Sequence, residues 1–254
     1  MIVAADGRAA AADQEIEVRP AVRLQHVMDW LTESRTDVLC LQEIKAEPAQ
    51  LPVWLADVEG YWCYWHGGRG YSGVALLVRK SACPDRPAFS HPDFDHEHRI
   101  VTVGLPSMVV ASIYVPNGGK DFEAKMRFLD ALQLYTADLA RSGTLAVLCG
   151  DLNVALAERD IHPKERKPNQ IGGRPEERQL LASVIGNGLV DVHRTLEPDN
   201  DDLFTWWAPW RNMKQRNIGW RIDYVLASAP LGPAAVSCVS MREFGSSDHA
   251  PVMA

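Results

Sequence analysis

Four short polar clusters interrupt or end apolar runs in this chain, and each carries residues able to do acid–base or metal chemistry. LCLQE places Glu43 on the same strand parity as Leu39 and Leu41, so Glu43 is expected to emerge beside the core. LAVLCGDLN presents Asp151 and Asn153 two residues apart. WRIDYVLA puts Asp223 inside a strand-like run, where Asp is disfavoured and an unpaired buried charge is costly. SSDHAP supplies adjacent Asp248 and His249 in a turn-like setting. Taken singly, each reads as well as a strand-end cap or turn residue; four together, three abutting buried strands, mark a site at strand ends. Clustered carboxylates without thiolates or repeated histidines favour a hard cation, Mg²⁺ or Mn²⁺, over zinc. A His beside a second carboxylate suits proton transfer or an oxyanion, and with an Asp/Asn pair and Mg²⁺ it suits phosphate-ester hydrolysis.

Two basic stretches accompany these clusters. Residues 205–221, TWWAPWRNMKQRNIGWR, hold Arg211, Lys214, Arg216 and Arg221, no acid, and four of the eight tryptophans. Interleaved cations and aromatics suit a phosphate backbone beside an extruded base or sugar, although Trp207 reads equally well as core. Residues 158–178, with Arg159, Lys164, Arg166, Lys167, Arg174 and Arg178 diluted by five acids, read as a long surface loop. HPDFDHEHR at 91–99 is richer still in possible metal ligands. Its proline, its irregular spacing and its place before a strand make it a solvated loop.

The elements that must position these residues are legible from periodicity. Leu24, Val27, Met28 and Leu31 lie on one helical face, and Phe128, Leu132, Tyr135 and Leu139 on another within 123–140; a third helix is expected at 176–187. Strands are expected at 37–41, 61–65, 73–78, 99–103, 109–115, 145–149 and 220–227. Strands follow one another without helices between 61 and 115, so a mixed-sheet α/β or α+β sandwich is favoured over strict βαβ winding. The 254 residues suffice for one substantial core, and the net charge of −7 excludes a globally basic nucleic-acid coat but not a local basic face. Five scattered cysteines argue against a disulfide framework or zinc ribbon. With no membrane-length apolar run and no signal-peptide core, a soluble, cytoplasmic single domain is expected.

LQEIK (41–45), YSGVALL (71–77), YVPNG (114–118), CGDLN (149–153), PEER (175–178), FTWW (204–207), GWRIDYVLAS (219–228) and SDHAPV (247–252) occur in an order that resembles the exonuclease III family of AP endonucleases, within the endonuclease/exonuclease/phosphatase superfamily. The resemblance runs from about Val22 to the C-terminus. It implies an α/β fold, a four-layer sandwich of two packed mixed β-sheets flanked by helices. It implies Glu43 as the main Mg²⁺ ligand (Mn²⁺ a substitute) and Asp248 as a second metal-linked carboxylate. By the same resemblance Asp151 activates the attacking water, Asn153 orients it, and His249, held by Asp223, meets the phosphate. Tyr114 matches an active-site tyrosine and Asn117 a phosphate-contacting amide. Trp206 and Trp220 resemble the wall of a pocket for a flipped-out abasic deoxyribose, with Arg178, Arg216 and Arg221 as further substrate contacts.

Such a protein is a monomeric DNA-repair nuclease that incises duplex DNA 5′ to abasic sites and trims 3′-blocked ends by exonuclease or phosphodiesterase action. The alternatives are a superfamily phosphoesterase acting on a nucleotide, phosphoinositide or sphingolipid, and a catalytically impaired DNA-binding homologue. The departure lies at the start. The family opens with a strand and an Asn-bearing motif, whereas this chain has no Asn before Asn117, leaving Asp6 or Asp13 as the substitute. Residues 1–20 are therefore set apart as an atypical segment, with 21–254 as a single catalytic domain.

Overall fold

Alternation along the strands sorts the side chains into three apolar layers. In the computed structural model, which describes residues 2–4, 27–68 and 70–254, two six-stranded sheets pack face to face. The first sheet contains β1 (Ile2–Ala4), β2 (Val38–Gln42), β3 (Tyr61–Gly68), β4 (Tyr71–Arg79), β11 (Val239–Ser240) and β12 (Val252–Met253), in the order β11-β12-β1-β2-β4-β3. The second contains β5 (Ala88–Ser90), β6 (Ile100–Gly104), β7 (Val109–Tyr114), β8 (Ala146–Asp151), β9 (Leu189–Asp191) and β10 (Asp223–Ser228), in the order β5-β6-β7-β8-β10-β9. The pairs β1–β2 and β7–β8 are parallel and the remaining pairs antiparallel, so both sheets are mixed.

Cys40, Val74, Leu76 and Val78 of one sheet meet Val101, Val103, Val110, Cys149 and Val225 of the other in the middle layer. Residues of the opposite parity face outward. Leu39, Leu41, Ala75 and Leu77 pack against Val27, Met28 and Leu31 of a helix covering 27–34, α1. A short helix, α2 (Val53–Ala56), adds Leu55 to this layer. Ala111, Ile113, Leu148 and Leu226 pack beneath α3 (Phe122–Arg141) and α4 (Pro175–Gly186). A single-turn helix, α5 (Val192–Leu196), follows β9. The order helix, sheet, sheet, helix is the four-layer sandwich expected.

Three details differ from the sequence reading. The strand expected at 220–227 begins only at Asp223, because Trp220 is engaged in isolated bridges to Trp206 and Ile161. Residues 158–178 are structured, with 3₁₀ turns at Glu158–Asp160 and Pro163–Glu165 and the start of α4 at Pro175. A strand forms at Ile2–Ala4, between β12 and β2. Asp6, Asp13 and Leu24 lie outside the described residues.

Candidate active site

The site is a polar continuation of the middle layer. Tyr114 follows Val110 and Ser112, Asp151 follows Cys149, and Asp223 precedes Val225, all at inter-sheet positions. The register sets Tyr114 beside Asp151 across β7–β8 and Asp151 beside Asp223 across β8–β10, so the three lie in a row over adjacent strands. Gly150 makes this approach possible, since a Cβ there would sit 1.8 Å from the Ile113 carbonyl oxygen. Glu43 enters from the first sheet, but not by strand parity: Leu39 and Leu41 face the helix layer. The strand ends at Gln42, and a positive φ of 55° at Glu43 turns the chain there. The Tyr114 hydroxyl donates to Glu43 Oε1 in a short hydrogen bond that ties the two sheets, while Lys45 Nζ donates to Oε2 at 2.9 Å.

Electrostatics divide the labour among these groups. Burial, with the charges of Glu43 and Asp151, pushes the Tyr114 hydroxyl up, so it stays protonated. Burial and the neighbouring Asp223 charge hold Asp151 well above the usual carboxylate range, although it receives the Asn153 backbone N–H and Nδ2–H, each at 2.8 Å. His249 Nδ1 lies 3.1 and 3.0 Å from the two oxygens of Asp223. Burial alone would lower the imidazole, but Asp223, with Asp151 and Asp248, pushes it up to about 10. An imidazolium fixed among these three aspartates is suited to meet an anion.

A cavity of about 430 Å³ opens over this row, lined by Glu43, Tyr114, Asn117, Asp151, Asn153, Trp206, Trp220, Asp248 and His249 among others. Trp206 and Trp220 meet edge to face at 6.2 Å and exchange backbone hydrogen bonds of 2.9 and 2.8 Å. Gly172, with φ 87°, passes so close that a Cβ would sit 3.2 Å from the Trp220 ring. Trp206 Nε1 donates to Asp248 Oδ2 at 3.0 Å, leaving Asp248 Oδ1 buried and unpartnered among the described residues. Asn117 Nδ2 donates to Asn153 Oδ1 at 3.1 Å. Beneath them lies a pair that sequence reasoning missed. Lys125 Nζ is 2.5 Å from Glu177 and donates to the Asn153 carbonyl at 2.7 Å and the Asn117 carbonyl at 3.2 Å. Glu177 in turn accepts the backbone N–H of Gly172 and of Arg174, at 2.9 Å each. The PEER string that opens α4 was its only sequence signal.

The basic residues do not all face this cavity. Arg221, expected to touch substrate, is 1% exposed: Nε donates to Asp160 at 2.8 Å and a terminal nitrogen to Asp191 at 2.7 Å. It is a core ion pair, and its charge is spent there. Arg178 is half-buried and donates to the Ala155 carbonyl at 3.0 Å, behind the wall. Lys214 donates to the Ser247 carbonyl at 2.9 Å and braces the segment bearing Asp248 and His249. Arg216 and Arg211 are exposed, as is Trp210, whereas Trp207 is core.

The profile of the Endonuclease/Exonuclease/phosphatase family matches residues 17–249. The chain belongs to that family. Its exonuclease III branch supplies the relatives: the chain is 30% identical over 238 residues to an exodeoxyribonuclease of Bacillus subtilis, covering 92% of this chain and 94% of that one. It is 32% identical to the DNA repair nuclease APEX1 of Danio rerio, over 89% of this chain and 74% of the other. Among solved structures, an AP endonuclease from Archaeoglobus fulgidus superposes with a TM-score of 0.81 at 28% identity, covering 91% of this chain and 93% of the other. A 3′-5′ exonuclease from Neisseria meningitidis gives 0.82 at 29% identity, with the same coverage of both chains. The donor set of this family member fits a hard divalent cation. Glu43, Asp151 and Asp248 offer only oxygen, the orphaned Asp248 Oδ1 has coordination to spare, and Mg²⁺ needs only one or two carboxylates beside its water.

Proposed function

We propose that this enzyme is a Mg²⁺-dependent DNA-repair nuclease that hydrolyses the phosphodiester 5′ to abasic sites in duplex DNA, with 3′→5′ exonuclease or 3′-phosphodiesterase action at blocked ends. The observation that carries the reading is the row Tyr114–Asp151–Asp223, joined by His249, beneath a cavity walled by two tryptophans. A bound Mg²⁺, held by Glu43 and Asp248, would neutralise charge on the phosphate; Mn²⁺ serves in its place.

The protein's own groups do the rest. Asp151, its oxygens oriented by Asn153, accepts the proton of the attacking water. The His249 imidazolium meets the phosphate oxygen that gains charge, with Asp223 fixing its ring. The Asn117 amide contacts a remaining phosphate oxygen, and the neutral Tyr114 hydroxyl reaches another by turning its one proton from Glu43. The bond from phosphorus to the 3′ oxygen breaks opposite the water, and that oxygen takes a proton from solvent. Trp206 and Trp220 present ring surface to an extruded deoxyribose that lacks a base, a recognition needing no base readout. The exposed Arg211 and Arg216 hold the backbone outside the cavity. A single catalytic domain spanning 21–254, acting as a monomer in the cytoplasm, completes the proposal; no helix among the described residues is long and apolar enough to cross a membrane.

A substrate panel tests it, each member assayed with Mg²⁺ and with EDTA: a duplex carrying one tetrahydrofuran abasic analogue, a 3′-phosphate duplex, a phosphoinositide and sphingomyelin. Metal-dependent cleavage confined to the two DNA substrates is the expected result. DNA binding without cleavage would mean an impaired homologue, and turnover of a lipid headgroup alone would move the chain to another branch of the superfamily.

A further inference from the structure

We infer that His66, His91 and Asp95 form a second metal site, for one borderline divalent cation of the Zn²⁺ class, distinct from the oxygen-lined active site. His66 lies on β3, the edge strand of the first sheet, and the segment 91–99, expected from the sequence to be a solvated loop, instead folds across it with the Asp95 side chain buried. One ligand atom from each of the three residues falls within 4.8 Å of the others. Asp95 Oδ2 is 2.6 Å from His66 Nε2, and its side chain is 0% exposed. Its other oxygen accepts the Arg99 backbone N–H at 2.8 Å, which fixes the carboxylate in the orientation a metal ligand needs. The His91 ring stacks on His66 at 4.5 Å, with 13° between the planes.

A tetrahedral Zn²⁺ with bonds of about 2.0–2.1 Å needs donor atoms roughly 3.4 Å apart. The His66–Asp95 contact is shorter than that spacing, and every ligand atom of the three lies within 4.8 Å of the others. Closure asks the exposed His91 to turn its ring out of the stack on His66, and the His66–Asp95 contact to open by less than an ångström. Two imidazole nitrogens and one carboxylate oxygen, with water in the fourth position, select Zn²⁺, Co²⁺ or Ni²⁺ over Mg²⁺.

The segment this ion would pin leads to the active site. The Glu97 carbonyl accepts the Ser72 hydroxyl, and the His98 carbonyl accepts the Gly73 N–H at 3.1 Å. The Arg99 guanidinium donates to the Tyr71 hydroxyl at 2.8 Å and lies over the Tyr114 ring at 4.9 Å. The site is thus a staple between β3 and the segment that ends behind Tyr114.

The test is calorimetric titration of EDTA-stripped full-length protein with Zn²⁺ in saturating Mg²⁺, repeated with Co²⁺ by visible absorption. One equivalent of Zn²⁺ should bind, with tetrahedral Co²⁺ bands. Affinity should fall by more than about tenfold in His91→Ala and in Asp95→Asn, and hold in Asp151→Asn. Zn²⁺ should raise the melting temperature of the wild type but not of His91→Ala. His91 is exposed, so that variant keeps its fold and decides the matter even if Asp95→Asn does not. No stoichiometric binding to the folded wild type, or equal binding by His91→Ala, would overturn the site; binding lost in Asp151→Asn would reassign the ion to the active site.

Discussion

Asp223 and His249 act as one unit, since the imidazole is kept cationic by the carboxylate 3.0 Å away. The sign is clear: an anion that raises a histidine extends its charged form to higher pH. In metal-free protein the His249 ring resonances should stay those of imidazolium through neutral pH and titrate near 10, whereas Asp223→Asn should move the midpoint back toward the ordinary histidine value. An NMR pH titration of the two proteins checks this, and identical midpoints would refute the pairing. Asp223 was legible in the sequence because aspartate inside an apolar strand demands a reason, and Asp151 because, paired with Asn153, it follows directly on an apolar run. Glu43 was legible as a residue but for the wrong geometric cause, since the turn that aims it leaves no periodic trace. Arg221 was misread. Its partners Asp160 and Asp191 lie 61 and 30 residues away, and a cation among tryptophans looks the same whether it faces DNA or a buried acid.

Helices α3 and α4 do more than cover the second sheet. Through Lys125 and Glu177 they hold the Asn117 and Asn153 carbonyls and the Gly172 turn, which are the floor and one wall of the cavity. Both side chains are buried, so Lys125→Met should strand an uncompensated carboxylate and cost about 3–5 kcal/mol. Lys125→Met with Glu177→Gln should recover part of that, read by denaturant unfolding. Destabilisation no smaller in the double variant would contradict the pairing. The apolar faces of α1 and α3 were readable from their period, yet Lys125 sits on the buried face of α3, where a lysine leaves no trace in an apolar pattern. Strands of two or three residues, such as Ile2–Ala4, Ala88–Ser90 and Val239–Ser240, are too short for alternation and arise only from pairing with longer neighbours.

The whole molecule carries a net charge of −7, yet it must approach a polyanion. Several acids are internal: Asp151, Asp160, Glu177 and Asp223 are buried against partners or in the site, and contribute little to the field outside. Of the cations in 205–221, Arg211 and Arg216 remain exposed while Arg221 and Lys214 are engaged. DNA affinity should therefore be salt-sensitive but shallow, with a log–log slope of about −2 to −4, and Arg216→Ala should flatten it by about one unit. Fluorescence anisotropy at several salt concentrations gives the slope; one unaffected by Arg216→Ala would place the DNA on another face.

In the proposed reaction the buried Asp151, set in register with Tyr114 and Asp223, activates the water that cuts DNA beside a missing base. The most direct test of this step is single-turnover cleavage of a duplex containing one tetrahydrofuran residue, in Mg²⁺, by the wild type and by Asp151→Asn of verified fold. One nick 5′ to the analogue is expected, abolished by EDTA and slowed by about three orders of magnitude or more in the variant. An abasic duplex left intact by the wild type, or nicked at the wild-type rate by Asp151→Asn, would contradict it.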